Sequence, residues 1–323
     1  MASSTIGTPE EHLAAVEAID LSPARIAAAA EIIDPVFLHT LQFVNEQLSA
    51  ALQREVVIKN ETVTPIGSFK GRGAWLLAQR LDPARTWVCS TAGNFGQGLA
   101  YAARVRGATV EVFVSADVPP AKIAGMRALG AHVRTSEQPG QAAREHAAAA
   151  EDRLLVIDGL HPEMAEGAGT IGLELDSSGA NDLMVVQIGD GALISGVARW
   201  LKAAQPQTRI VGVCASGAPA MARSFAAGRV VRTPGTNTIA TALAISEPVP
   251  ESFARVIALV DEIVLVDDDD LCSAQQLILE TLNVQVEPAG AAGVAALARH
   301  GARLRPGRTA VLLTGAGTTQ TQP

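Results

Sequence analysis

Thr86-Trp87-Val88-Cys89-Ser90-Thr91-Ala92-Gly93-Asn94-Phe95-Gly96-Gln97-Gly98 begins as a short apolar run, breaks into small polar residues and glycine, and passes into an alanine-rich helical pattern. Thr86 to Cys89 reads as a buried strand and Gly96 to Val105 as the helix after it. The same unit recurs on the C-terminal side, as strand Thr109 to Val114, helix Pro120 to Leu129, strand His132 to Thr135 and helix Gly140 to Glu151. Such alternation with short connections predicts an α/β fold whose sheet is mainly parallel and flanked by helices. A second series starts after His161-Pro162: helix Met164 to Asp176, strand Leu183 to Ile188, helix Ala192 to Ala204, strand Arg209 to Cys214 and helix Pro219 to Ala226. Past a polar, irregular stretch, Glu262 to Val266 and Ala310 to Leu313 supply late strands. Toward the N-terminus, Pro9 to Ala18 and Ser22 to Ile33 have helical composition, with Ser22 and Pro23 at the cap and first-turn positions. Asp34-Pro35 is expected to open another helix through Val44, and Glu55 to Lys59 reads as a strand. Two lobes are expected: a small one at residues 86–160 interrupting a large one built from 1–85 and 161–323.

Composition agrees with a folded chain. Of the 323 residues, 48% are hydrophobic and 18% charged, which excludes a disordered chain. Aromatics are only 3%, so the core must be aliphatic. The net charge of −8, with no basic run or stacking series, argues against nucleic acid and for a small-molecule partner. Cys89, Cys214 and Cys272 are odd in number and lack metal-ligand spacing, so they read as reduced core residues. No basic leader precedes an apolar stretch, and nowhere do 18 apolar residues run uninterrupted. No membrane association and a cytoplasmic location are expected. The four acids Asp267 to Asp270 could ligate a metal, but acids opening a helix also face its dipole favourably, and that is the plainer account.

Four glycine-bearing segments carry the chemistry. Pro65-Ile66-Gly67-Ser68-Phe69-Lys70-Gly71-Arg72-Gly73 sets Lys70 between an aromatic ring and glycines, at the head of a helix, where a flat ligand can come close. An amine is nucleophilic only when neutral, and with a reference pKa of about 10.4 it needs burial, charge or a covalent partner to react with an aldehyde at pH 7. Taken alone, the stretch reads more simply as an N-cap followed by a surface lysine. Ser90, Thr91 and Asn94 surround Gly93 where the next helix exposes its amides, which suits a carboxylate and a ring hydroxyl, or else is an elaborate N-cap. Gln187-Ile188-Gly189-Asp190-Gly191-Ala192-Leu193-Ile194-Ser195-Gly196 is strand, tight turn and helix start, an arrangement that cradles phosphate. Asp190 is awkward there, because its carboxylate must turn away or cap the helix. Thr314, at the end of the last strand, offers a neutral hydroxyl to a heterocyclic nitrogen.

Together these segments resemble, in order and spacing over nearly the whole chain, the fold type II family of pyridoxal-phosphate enzymes (tryptophan synthase β-like), in particular its threonine and serine dehydratase and serine racemase branch. The resemblance implies that Lys70 carries pyridoxal 5'-phosphate as an imine and that Phe69 lies against its ring. Asn94 would bond the ring hydroxyl, and Gly189, Asp190, Gly191, Ala192 and Leu193 would form the phosphate loop, with Thr314 facing the pyridine nitrogen. Ser90, Thr91, Ala92, Gly93 and Gln97 would receive the substrate, with Glu287-Pro288-Ala289-Gly290-Ala291 near its entrance. It further implies a homodimer and an ammonia-lyase that eliminates the β-hydroxyl of a hydroxy amino acid, giving a 2-oxo acid and ammonia. Racemisation, β-replacement and a binding protein without turnover are the alternatives.

Departures from the family pattern sharpen the choice. Ala92 stands where racemases place a serine that works on the opposite face, and an alanine cannot transfer a proton. Cys214, Ala218 and Ala220 stand where relatives place the acids of a divalent-cation site, so no metal is expected there. Phe95 replaces a common histidine, and Ala316-Gly317 a common glycine-asparagine pair, which affects the substrate rather than the cofactor. Since nothing follows Pro323, no regulatory domain is expected.

Overall fold

The computed structural model describes residues 15–91 and 93–316. Ala92, Gly317 and most of the helix expected at Pro9 to Ala18 therefore lie outside the described residues. Two sheets organise the rest. The larger has six strands in the order β1-β2-β10-β7-β8-β9, namely β1 Gln42–Val44, β2 Val56–Asn60, β10 Thr309–Leu313, β7 Leu183–Gln187, β8 Arg209–Ala215 and β9 Glu262–Val266. All its pairings are parallel except β1 with β2. The smaller sheet is wholly parallel, in the order β5-β4-β3-β6, with β3 Thr86–Ser90, β4 Val110–Val114, β5 His132–Thr135 and β6 Arg153–Leu155.

The central strands are continuous apolar runs because both faces of the sheet are covered. Every residue of β2, β7 and β10 is buried, and successive side chains take opposite sides. Met184, Val186, Ala310 and Leu312 join the core beneath helices Pro162–Asp176 and Ala192–Ala204. Leu183, Val185, Val311 and Leu313 join the one beneath helix Pro288–His300. Helix Lys70–Ala78 packs on both Asn94–Arg106 and Pro162–Asp176, so it touches elements associated with each sheet.

The expected alternation is present, with two differences. The helix expected from Asp34 to Val44 is only a 3-10 turn, Pro35–Phe37. The Asp34 side chain accepts from the Val36 amide, His39 takes a left-handed φ of 52°, and Gln42–Val44 then pairs with β2 as an antiparallel edge. The stretch read as irregular, before Glu262, contains helix Pro250–Leu259, and the acids after β9 open helix Asp268–Leu282 as expected. Asp267 and Asp270 cap the second of these reciprocally, each carboxylate accepting from the other's backbone amide at 3.0 and 2.9 Å, and both pair with Arg299. The acid run is thus a helix cap. Among the described residues, no group of three or more His, Cys, Asp or Glu side chains is placed to hold a metal ion, and no helix is long and apolar enough to cross a membrane.

Candidate active site

The segments singled out in the sequence meet in one cleft, just beyond the C-terminal ends of β3, β7 and β10, where open parallel sheets place their ligands. The cleft is open to solvent, and its walls include Phe69, Lys70, Thr91, Asn94, Asp190 and Thr314. Ser90, Gln97 and Ala192 do not line it. Helix Lys70–Ala78 is moored to the end of β10: Ser68 bridges Gly315, and the Phe69 amide donates to the Thr314 carbonyl at 3.2 Å. The Lys70 side chain is consequently only 11% exposed, so it is not the surface lysine that a bare N-cap would carry.

Its ammonium lies between two carboxylates, Asp158 Oδ2 at 2.5 Å and Asp190 Oδ2 at 2.9 Å. Burial alone would push the lysine down, but the two acids overrule it and hold the ammonium above the ordinary lysine range. The acids respond oppositely. Burial, and then the like charge of Asp190, push Asp158 up to about 7 against the pull of Lys70. Burial also opposes ionisation of Asp190, yet Lys70 and the Ala192 amide outweigh it and keep this carboxyl below its usual range. Near neutrality the cluster therefore carries Lys70 as a cation, Asp190 as an anion, and Asp158 close to its midpoint.

Asp190 resolves its awkward position by doing what a phosphate would do. Its Oδ1 accepts from the Ala192 amide at 2.9 Å, the first free amide of helix Ala192–Ala204, whose N-cap is Gly191. Gly191 makes the turn possible with a φ of +100°, and a Cβ there would lie 2.4 Å from Ser252 Oγ. The Ser252 hydroxyl donates to the Asp190 carbonyl and closes the loop from outside.

Around the rest of the cleft, Asn94 Nδ2 donates to Glu287 Oε1 at 2.7 Å, and Lys122 Nζ approaches Glu287 Oε2 at 3.5 Å. Thr91 Oγ1 accepts from the Gly93 amide at 3.2 Å. Thr314 Oγ1 accepts from Gln187 Nε2 at 2.8 Å, and the same nitrogen faces the carbonyls of Ala289 and Leu312 at 3.1 and 3.3 Å. Carbonyls only accept, so the Gln187 nitrogen must face them, and the Thr314 hydroxyl keeps its own hydrogen to donate elsewhere.

Two features of the site, and one of a buried network apart from it, escaped the sequence. Asp158 follows β6 in Leu154-Leu155-Val156-Ile157-Asp158-Gly159, and its only signal is an acid closing an apolar run. Gln187, 3% exposed, is a polar residue ending a strand of hydrophobic ones. Arg72 is fully buried two residues beyond Lys70 and is held by Glu61 (2.9 Å) and Glu174 (2.5 Å). Lys59 pairs with Glu174 at 2.5 Å, and so belongs to this buried network rather than to the cleft.

A family model described as pyridoxal-phosphate dependent enzyme matches residues 43–315. The L-threonine ammonia-lyase of Thermotoga maritima is 34% identical over 257 residues, covering 77% of this chain and 64% of that protein. This chain thus spans just under two thirds of its length. The phenylserine dehydratase of Ralstonia pickettii is 36% identical over 274 residues, covering 81% of this chain and 83% of that one. The crystal structure of a T.th. threonine deaminase superposes with a TM-score of 0.86 at 31% identity, over 93% of this chain and 99% of the other.

Proposed function

Since this chain belongs to the family of pyridoxal-phosphate dependent enzymes, with the type II fold, we propose that it is an ammonia-lyase. It would remove the β-hydroxyl of a hydroxy amino acid such as serine or threonine and yield a 2-oxo acid and ammonia. The residues present fit pyridoxal 5'-phosphate. The cleft offers a buried lysine amine for its aldehyde, a glycine turn at a helix start for its phosphate, and Phe69 beside the lysine, with the ammonium 5.2 Å from the ring centroid. Asn94 would hold the ring hydroxyl and Thr314 the ring nitrogen; Asp190 would yield the Ala192 amide to the phosphate. When bound, the cofactor supplies the electron sink that makes the Cα proton removable.

The chain's own groups do the rest. Gly93, with Thr91, would orient the substrate carboxylate. Lys70, freed as an amine beside Cα, is the base that takes its proton. The observation that carries the reading is the Thr314 hydroxyl, which accepts from Gln187 and has its hydrogen free. A donor of this kind suits an unprotonated ring nitrogen, so a long-lived carbanion is disfavoured and prompt loss of the β-substituent is favoured. Product analysis of the holoenzyme with a panel of amino acids tests the reading, with serine run both with and without an added thiol. Release of 2-oxo acid and ammonia in equal amounts is expected; a thioether product would replace elimination by β-replacement, and no turnover of any hydroxy amino acid would sink the lyase assignment.

Three coarser matters belong to the same proposal. The division into a lobe at 86–160 and a lobe from the remainder is supported by the confinement of β3 to β6 to that segment. A homodimer is supported by the exposed apolar side chains Leu41, Phe43 and Val44, on and beside the edge strand β1. A cytoplasmic location is supported by three unpaired cysteines.

A further inference from the structure

Elimination of a hydroxyl needs an acid as well as a base, because hydroxide is a poor leaving group at neutral pH. Asp158 has the position and the environment for that task. It lies in the loop after β6 and lines the cleft, with Oδ2 2.5 Å from Lys70 Nζ and Oδ1 buried without a hydrogen-bond partner. The loop is held from behind by Arg255 of helix Pro250–Leu259, which donates to the carbonyls of Gly159 and Leu160 at 3.0 Å and is itself paired to Asp20. Gly159 has a φ of +81°, and a Cβ there would lie 3.1 Å from Asp190 Cβ, so the loop can approach the glycine turn closely only with glycine at this position.

We propose that Asp158 is a second catalytic residue, the acid that protonates the departing β-hydroxyl while Lys70 takes the Cα proton; this rests on the lyase reading above. The electron and proton balance closes on the two side chains. Lys70, as the neutral amine, takes the Cα proton, and the C–H pair becomes the Cα–Cβ double bond. The Cβ–O bond breaks with its pair on oxygen, Asp158 gives that oxygen its proton, and water leaves. Lys70 is then an ammonium and Asp158 a carboxylate, which is the ion pair present at 2.5 Å. Reattachment of Lys70 to the cofactor would require it to give up that proton, which passes to Asp158 across the contact and restores both groups. The released enamine takes up one water and loses ammonia to give the 2-oxo acid.

The charges around Asp158 favour an acid that is protonated in the loaded state. It faces Lys70 on helix Lys70–Ala78 and Asp190 on the glycine turn, and nearby Cys89 at the end of β3 is a neutral thiol whose pKa burial and the Asp158 charge push up. Once Lys70 is neutral and a phosphate anion occupies the Ala192 amide, Asp158 loses its cation and gains a second anionic neighbour, and both changes favour its proton.

The test compares holoenzyme of wild type and Asp158→Asn on L-serine and on β-chloro-L-alanine, whose chloride departs without a proton. The visible absorbance of bound cofactor and the exchange of the substrate Cα hydrogen with deuterium oxide are recorded as further readouts. Turnover of serine by the variant is expected to fall about 10²- to 10⁴-fold, the usual worth of a positioned acid. Chloroalanine turnover, cofactor absorbance and Cα exchange should stay within a few fold, and Asp158→Glu, which keeps an acid, should recover part of the serine activity. In the wild type, serine turnover should fall as pH rises through the Asp158 titration; the chloroalanine rate should lack that limb, as should the variant. A parallel fall on both substrates, no fall on either, or loss of the cofactor band in the variant overturns the acid role and leaves Asp158 as a counter-ion of Lys70. A wild type without activity on any hydroxy amino acid defeats the lyase reading itself, and this inference with it.

Discussion

In the cofactor-free protein, removing the Asp158 proton should cost stability, and the size of that cost follows from its surroundings. Its carboxyl is pushed up to about 7 by burial and by Asp190, whereas in an unfolded chain an aspartate titrates near about 3.9. Between those values the folded protein binds the proton and the unfolded chain does not. The stabilising proton is thus fully retained below the unfolded value, and its contribution is lost as pH rises through the folded one. Worked through both titrations, ionisation of this one group favours unfolding by on the order of 2 kcal/mol at pH 5 and on the order of 4 kcal/mol at pH 7. Asp158→Asn has no proton to lose, so urea unfolding of wild type minus variant should fall by about 2 kcal/mol across that interval. Asp190 does not blur the comparison, because its carboxyl is held below the usual range and titrates beneath the window. A difference that stays flat within about 0.5 kcal/mol would mean that Asp158 is ionised throughout, against the linkage argument.

Replacing Lys70 by alanine should abolish the visible absorbance of lysine-bound cofactor; persistence of the band would transfer the attachment to Lys122, which also lines the cleft. Arg72→Met should lower the unfolding free energy of the cofactor-free protein by about 3–5 kcal/mol, since it strands the buried carboxylate of Glu61 and leaves Glu174 with Lys59 as its one cation. A loss below about 1 kcal/mol in urea titration would show that the network relaxes or takes up protons at little cost. Ala92→Ser should add some racemase activity to the lyase, read as D-serine by chiral chromatography, and absence of any D-product would remove the support for the face argument.

What could be read from the chain, and what could not, divides along a physical line. Strands such as Leu183–Gln187 and Thr309–Leu313 are legible because a parallel strand covered on both faces reads as a nearly continuous apolar run. The cradle at Gly189 to Leu193 is legible because a left-handed turn before a helix calls for glycine, as Gly191 shows. Gln42–Val44 is not, since three residues with an exposed, partly apolar edge carry no usable period and are strand only through β2. Asp158 escapes for the same reason: its charge acquires meaning only when Lys70, 88 positions away in sequence, arrives at hydrogen-bond distance. Local chemistry thus marks the groups that bind backbone or cofactor, whereas groups that set one another's protonation are visible only in three dimensions. The Lys70–Asp158–Asp190 cluster is of the second kind. Of its two acids, the one that accepts from the Ala192 amide is held ionised, and the one with a bare buried oxygen is left to carry a proton. That asymmetry is what separates a mere counter-ion from a group able to deliver a proton to a leaving oxygen.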